Sequence, residues 1–262
     1  MKYVYLILFT CHLSEMVQIN YIRVPHALKN NSGKSAILDC NYSVRPDDTE
    51  LVVKWFLNNE LVYQWVPPQK PQSLGVLKNR VDLSYRASAD PKAVFRALKI
   101  SNPTTEIAGV YKCFVSTFAD EDFSVKTMII FVPEKSLHLH RSPNINGKVN
   151  FTCLAEEVYP QAHLILFMDK MTNNGMNNLE PVEWSTKKHA DGKFSLQQTS
   201  TIQVNKLEFG SLVFCEMRIP GTGYIKRQTL LYYPESSRSY CRKIMLQPLI
   251  FYLITLLIQF IL

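Results

Sequence analysis

Six cysteines carry most of the available chemistry: Cys11, Cys40, Cys113, Cys153, Cys215 and Cys241. Paired thiols oxidise to disulfides, which persist outside the reducing cytosol. Cys11 lies in an N-terminal apolar stretch and Cys241 in a basic C-terminal segment. If both ends are processed away, four cysteines remain, and four can pair in three ways. Three asparagines open sequons for N-glycan attachment in an exported chain: Asn30 before Asn31-Ser32, Asn41 before Tyr42-Ser43, and Asn150 before Phe151-Thr152. Asn102 is followed by Pro103 and is excluded. Catalytic patterns are missing. There is no G-x-S-x-G elbow, no H-E-x-x-H and no phosphate loop, so no enzyme and no cofactor is expected. His138 and His140 could put two imidazoles on one strand face, but no third zinc ligand accompanies them, and a solvated linker is the reading adopted. Asp120-Glu121-Asp122 lacks the ligand spacing of a calcium loop. Pro68 and Pro71 match a PxxP ligand, yet their expected role is to shape a loop.

The elements that must position the cysteines follow from spacing. Trp55 stands 15 residues after Cys40; Cys113 stands 73 after Cys40 and two after Tyr111. An immunoglobulin sandwich needs that set: a disulfide between its two sheets, an indole packed on it, and a tyrosine corner two residues before the second cysteine. A near-repeat recurs downstream, where Gly33-Lys-Ser-Ala-Ile-Leu-Asp-Cys40 is echoed by Gly147-Lys-Val-Asn-Phe-Thr-Cys153. Period-2 alternation sends Ala36, Leu38 and Cys40 inward in the first copy, and Val149, Phe151 and Cys153 in the second.

The expected fold class is therefore all-β, with two tandem immunoglobulin-like β-sandwiches over residues 20–133 and 134–234. The sandwich demands one bridge within each half, Cys40 to Cys113 and Cys153 to Cys215. The 73-residue spacing leaves room for an extra hairpin, which makes the first domain variable-type; the 62-residue spacing makes the second constant-like or intermediate. Val53 and Trp55 face the first core, and Leu98 and Ile100 form a further strand. Ile107 occupies the place of an aspartate that commonly pairs with an upstream arginine, so either Glu106 substitutes or the bridge is missing. In the second domain no tryptophan lies on the strand 164–167. Leu166 or Phe167 must fill its space, and Val213 replaces the corner tyrosine.

The ends read as processing signals. Residues 1–14 pair Lys2 with a short apolar run, as a secretory signal does. Residues 249–262 are apolar, preceded by Ser236, Ser237 and Ser239 and a stalk and spacer over 235–248. Small residues, a polar spacer and an apolar tail are the pattern of a GPI anchor signal, with Ser237 as the attachment residue. The alternative is a single-pass transmembrane helix from about Ile244, short for the hydrocarbon core. Processing would remove Lys2, Arg238, Arg242 and Lys243 and no acid, so the formal charge of +7 becomes +3. A nucleic-acid partner is not implied.

A docking face is expected on the sheet that carries Trp55 and Cys113. Alternation turns Lys54 and Phe56 outward from Trp55, and Lys112 and Phe114 outward from Cys113. The apolar stretch 61–66 follows in uncertain register: either Tyr63 and Trp65 or Val62 and Gln64 point out. Residues 116–123 couple Phe118 and Phe123 to an acidic cluster. Exposed aromatics gathered in one patch mark protein interfaces. The partner-binding candidates are Lys54, Phe56, Tyr63, Trp65, Phe114 and Phe118. Asn41 and Asn150 alternate outward on the opposite sheets, where glycans would obstruct docking.

Val53-Lys-Trp-Phe56, Tyr63-Gln-Trp-Val-Pro67, Ala108-Gly109, Cys113-Phe-Val-Ser116, Phe131-Val-Pro133 and, in the second half, Ala162-His-Leu164 resemble the beaten path (Beat) family of neural immunoglobulin proteins. The likeness covers most of residues 20–230. It implies a secreted or membrane-anchored ligand in axon guidance that binds a Sidestep-type immunoglobulin receptor through its first domain. Alternatives are a heparan-sulfate reader, for which Lys187-Lys188 and Lys226-Arg227 are the only adjacent basic pairs of the mature segment, and an immune-type co-receptor ligand. A plasma-membrane location on the extracellular face is expected. Phosphatidylinositol-specific phospholipase should release the chain from the surface of expressing cells; retention of the whole population would count against a lipid anchor.

Overall fold

Alternating apolar residues organise the strands that carry the bridged cysteines. The computed structural model describes residues 16–170 and 173–233. The expected signal 1–14, the spacer 235–248, the apolar run 249–262 and Ser237 lie outside the described residues. The chain divides into two units between Phe131 and Val132.

The first unit contains β1 (Gln18–Arg23), β2 (Ala27–Lys29), β3 (Ala36–Ser43), β4 (Val52–Leu57), β5 (Glu60–Trp65), β6 (Gln72–Ser73), β7 (Leu98–Ile100), β8 (Gly109–Ser116) and β9 (Glu121–Phe131). One sheet has the order β1-β3-β7, the other β2-β9-β8-β4-β5-β6. Strands β5 and β6 are the extra pair of a variable-type sandwich. Ala36, Leu38 and Cys40 of β3 and Val53 and Trp55 of β4 are buried, as alternation requires. Cys40 and Cys113 are bridged across the sheets, with Cα atoms 6.4 Å apart. Trp55 stands directly opposite Cys113 in the β4–β8 ladder and is fully buried. The Tyr111 hydroxyl donates to the carbonyl of Ile107 at 2.8 Å, which is the tyrosine corner. Ile107 is itself a core residue. Glu106 supplies the missing carboxylate, 2.6 Å from Arg80, which also donates to Thr104 at 2.9 Å.

Polar tips of core aromatics secure the irregular stretch before β7. Trp55 Nε1 donates to the carbonyl of Arg96 at 3.1 Å, Tyr63 Oη to that of Phe95 at 2.8 Å, and Tyr42 Oη to that of Lys92 at 2.6 Å. Buried indoles and phenols need such partners. Here their acceptors are main-chain carbonyls of a segment with no strand ladder of its own. Burial raises the hydroxyl pKa values of Tyr42, Tyr63 and Tyr111 above the usual phenol range, so all three stay protonated donors.

The second unit contains β10 (Ser136–Arg141), β11 (Lys148–Val158), β12 (His163–Lys170), β13 (Asn173–Asn178), β14 (Glu183–Lys188), β15 (Phe194–Gln203), β16 (Leu212–Ile219) and β17 (Tyr224–Leu231). Its sheets have the orders β10-β11-β15-β14 and β13-β12-β16-β17. Keeping both β13 and β14 makes it intermediate between constant and variable types. Cys153 and Cys215 are bridged, with Cα atoms 6.0 Å apart. Leu166 faces Cys215 in the β12–β16 ladder and takes the place of the missing indole, while Phe167 turns to the outer face. His138 and His140 stand on strand β10 and not in a linker, stacked with centroids 5.7 Å apart. Each bridge closes a loop of more than 60 residues, worth roughly 4 kcal/mol through the unfolded chain.

Trp55→Ala removes a fully buried indole and should destabilise the first unit by about 3–5 kcal/mol. Arg80→Ala breaks a largely exposed pair and should cost less than about 1 kcal/mol. Denaturant unfolding of the two variants checks that order.

Candidate functional site

Register along β4, β8 and β9 builds one exposed face of the first unit. Lys54 pairs with Phe114, and Phe114 with Phe123; Phe56 pairs with Lys112, and Lys112 with Val125. Lysine and apolar side chains therefore alternate in a checkerboard. Lys112 Nζ lies 4.6 Å from the Phe56 ring centroid and 5.8 Å from that of Phe123; Lys54 Nζ lies 5.9 Å from that of Phe114. Lys54, Phe56, Lys112 and Phe114 are half-buried. Phe123 and Val125 are exposed at 60% and 46%.

Phe118 crowns the turn between β8 and β9 and is 79% exposed. Its amide donates to the carbonyl of Thr49 at 3.0 Å, and the amide of Thr117 donates to the carbonyl of Asp120 at 2.8 Å, so the turn is held on both sides. The acidic cluster there is partly committed. Asp122 accepts from the amide of Ile19 at 2.7 Å and so ties β9 to β1.

Two candidates move off the face. Tyr63 and Trp65 are core residues, 1% and 2% exposed. The β4–β5 ladder shifts between Trp55 and Phe56, pairing Trp55 with Tyr63 but Phe56 with Leu61. The bulge absorbs Val62, so Val62 and Tyr63 are both buried, and Leu61 and Gln64 are the half-exposed members of β5. Trp65 meets Phe95 edge to face at 5.7 Å and donates to the carbonyl of Gln69 at 3.0 Å. Sequence alternation could not place a bulge, because the consecutive apolar residues Leu61, Val62 and Tyr63 fit either phase. Phe123 and Val125 of β9 are the members of the face that the candidate set lacked. Only the hairpin register, which pairs Ser116 with Glu121, puts them opposite Phe114 and Lys112.

Two of the sequons fall on the opposite sheets, and the third follows the edge strand β2 of the docking sheet. Asn41 projects from β3 beside Asn20 and Arg96. Asn150 projects from β11 and accepts from Thr201 Oγ1 at 2.8 Å. Asn30 follows β2 and accepts from the amide of Thr105 at 3.2 Å.

The equivalent face of the second unit is chemically different. Phe167 and Phe214 stack at 5.0 Å, and Arg227 lies over Phe167 at 5.8 Å. Glu216 is buried on this outer face between Arg227 and Arg218, paired with both. Among the described residues no group of three or more His, Cys, Asp or Glu side chains could hold a metal, and no helix is long and apolar enough to cross a membrane.

These paired sheets, bridged cores and tyrosine corner decide the fold. Both units are immunoglobulin-like sandwiches. Bovine butyrophilin superimposes with a TM-score of 0.60 at 16% identity, over 80% of this chain and 95% of the bovine one. The extracellular portion of mouse CD200RLa, at 15% identity and a TM-score of 0.48, covers 79% of this chain and 99% of its own. A chain from a complex of ICOS with ICOS-L and an anti ICOS-L VNAR domain, at 16% and 0.49, gives the same coverage. At such identities the butyrophilin likeness establishes the fold alone. No family model and no curated protein sequence matches the chain.

Burial raises the pKa of the Glu216 carboxyl, but the guanidiniums of Arg227 and Arg218 outweigh it and hold the group below the usual carboxylate range. A carboxylate lowered by folding adds stability above its unfolded pKa of about 4.3, and that stability is lost as pH falls through the folded value. The thermal midpoint should drop as pH falls below about 4.3, with a shallower acid slope for Glu216→Gln. Calorimetry from about pH 6 to about pH 3 tests this; equal slopes would assign the acid sensitivity elsewhere.

Proposed function

We propose that this chain is a cell-surface recognition protein whose first unit docks a partner immunoglobulin receptor through the face of β4, β8 and β9. One observation carries the reading: Phe56, Phe114, Phe118, Phe123 and Val125 gather on one sheet and its turn, and several of them are exposed. Monomeric surfaces seldom leave such aromatics uncovered without a partner, and aromatic anchors dominate interface energetics. The opposite sheet of the first unit suits a glycan at Asn41, away from the aromatic face.

The finer reading rests on the sequence. The Beat-like motifs favour a Sidestep-type receptor as partner and axon guidance as the setting. The signal-like residues 1–14 and the spacer and apolar run of 235–262 favour a GPI anchor at Ser237 on the outer plasma membrane. Recognition, not catalysis, is the activity proposed. Heparan sulfate is disfavoured by geometry within the second unit. Lys187-Lys188 lie on β14 in one sheet and Lys226-Arg227 on β17 in the other. Arg227 is already paired with Glu216.

A panel of soluble surface-immunoglobulin ectodomains, applied to cells displaying the chain, should yield a binder among Sidestep-type receptors. Phe56→Ala, Phe114→Ala and Phe118→Ala should each weaken that binder about tenfold or more, the scale of interface anchors. If all three leave it unchanged, the docking face is wrong.

A further inference from the structure

Lys54 and Lys112 occupy the centre of the aromatic face, where interfaces are depleted of charge and of lysine in particular. Both ammonium groups rest against phenyl rings at 4.6–5.9 Å. Among the described residues neither has a carboxylate within ion-pair distance. Of the acids on the neighbouring strands, Asp122 turns to the amide of Ile19, and the other two stand at opposite ends of the face. Glu60 pairs with Leu57 at one end of β5, and Glu121 pairs with Ser116 at the far end of β9.

A partner that covers this face must strip water from both ammoniums. A ring face returns only part of the hydration that an ammonium loses on burial. An apolar partner surface is therefore a poor occupant. We infer that the partner presents two carboxylates, one for each lysine, flanked by apolar groups for the phenyl rings. The spacing is set by the register: Lys54 opposes Phe114, so Lys112 lies one diagonal step away on β8. Diagonal side chains on adjacent strands are about 7–8 Å apart. Two acids at a matching diagonal on a β-sheet face would meet both. A second copy of this chain is a worse fit, since it would set central lysines near central lysines, and like charges across an interface oppose docking.

This inference rests on the docking face proposed above, and the test separates the two. The full chain is displayed on cells and the probe is a purified Sidestep-type receptor ectodomain. Lys54→Glu with Lys112→Glu should weaken binding at least about a hundredfold, and Lys54→Met with Lys112→Met by about tenfold or more. Lys54→Arg with Lys112→Arg should stay within a few-fold of the parent. Raising salt from about 50 mM to about 500 mM should slow association for the parent and have less effect on the Met variant. Thermal midpoints equal to the parent's exclude misfolding; the Met pair serves if the Glu pair unfolds. If the phenylalanine variants weaken binding while the Glu and Met variants bind like the parent, the acidic-partner inference is overturned and the docking face stands. If neither set changes binding, both fail. Parent cells that adhere to one another, and adhere more strongly to cells carrying the Glu variant, would make a second copy the occupant and also overturn the inference.

Discussion

The contact between the Trp55 indole and the Cys40–Cys113 bridge governs the first unit. It sits between two sheets at full burial. Once Trp55 and Cys113 point inward, alternation leaves their neighbours no choice: Lys54 and Phe56 on β4, and Lys112 and Phe114 on β8, point to solvent. The covalent cross-link that stabilises the sandwich thus also composes its exposed face. A slip of one residue in β4 would bury Lys54 and expose the Trp55 indole, and one in β8 would bury Lys112 and expose the Cys113 half-cystine. Core and face share one register.

The same core organises what has no ladder of its own. The stretch before β7 gives the carbonyls of Lys92, Phe95 and Arg96 to Tyr42, Tyr63 and Trp55. Lys92 returns three donations, to the carbonyls of Arg45, Pro46 and Asp48. Arg96 pairs with Asp39 of β3 at 2.8 Å. Large aromatics supply apolar area and carry a polar tip that a buried backbone can use. A segment without a strand ladder is thereby held in place by these three carbonyls.

The two units use charge on their outer sheet faces in opposite ways. In the second, Glu216 sits between Arg218 and Arg227, and Arg227 caps a stacked pair of phenylalanines. That face answers its own charges. In the first, lysines lie over rings with no carboxylate at hand among the described residues. An ammonium over a phenyl ring remains hydrated and available to a partner, whereas a carboxylate held between two guanidiniums is committed within the fold.

Much of this was legible in the chain. Cysteine spacing, Trp55 and Tyr111 specified two sandwiches, because a cross-sheet bridge, an indole and a corner hydroxyl need those separations. Alternation gave the orientation of β3, β4, β8 and β11 from single inward residues. Three things lay beyond it. The β-bulge at Val62 turned Tyr63 and Trp65 inward, a shift that depends on cross-strand pairing and on the space beneath β5. Glu106 was chosen over an absent bridge because the helical turn 105–107 presents it to Arg80 while Ile107 drops into the core. Leu166 filled the second core and Phe167 the outer face, which only the pairing with Cys215 could decide. Local sequence sets the period of a strand, but its phase at a bulge and its partners across the sheet are fixed by packing with residues distant in the chain.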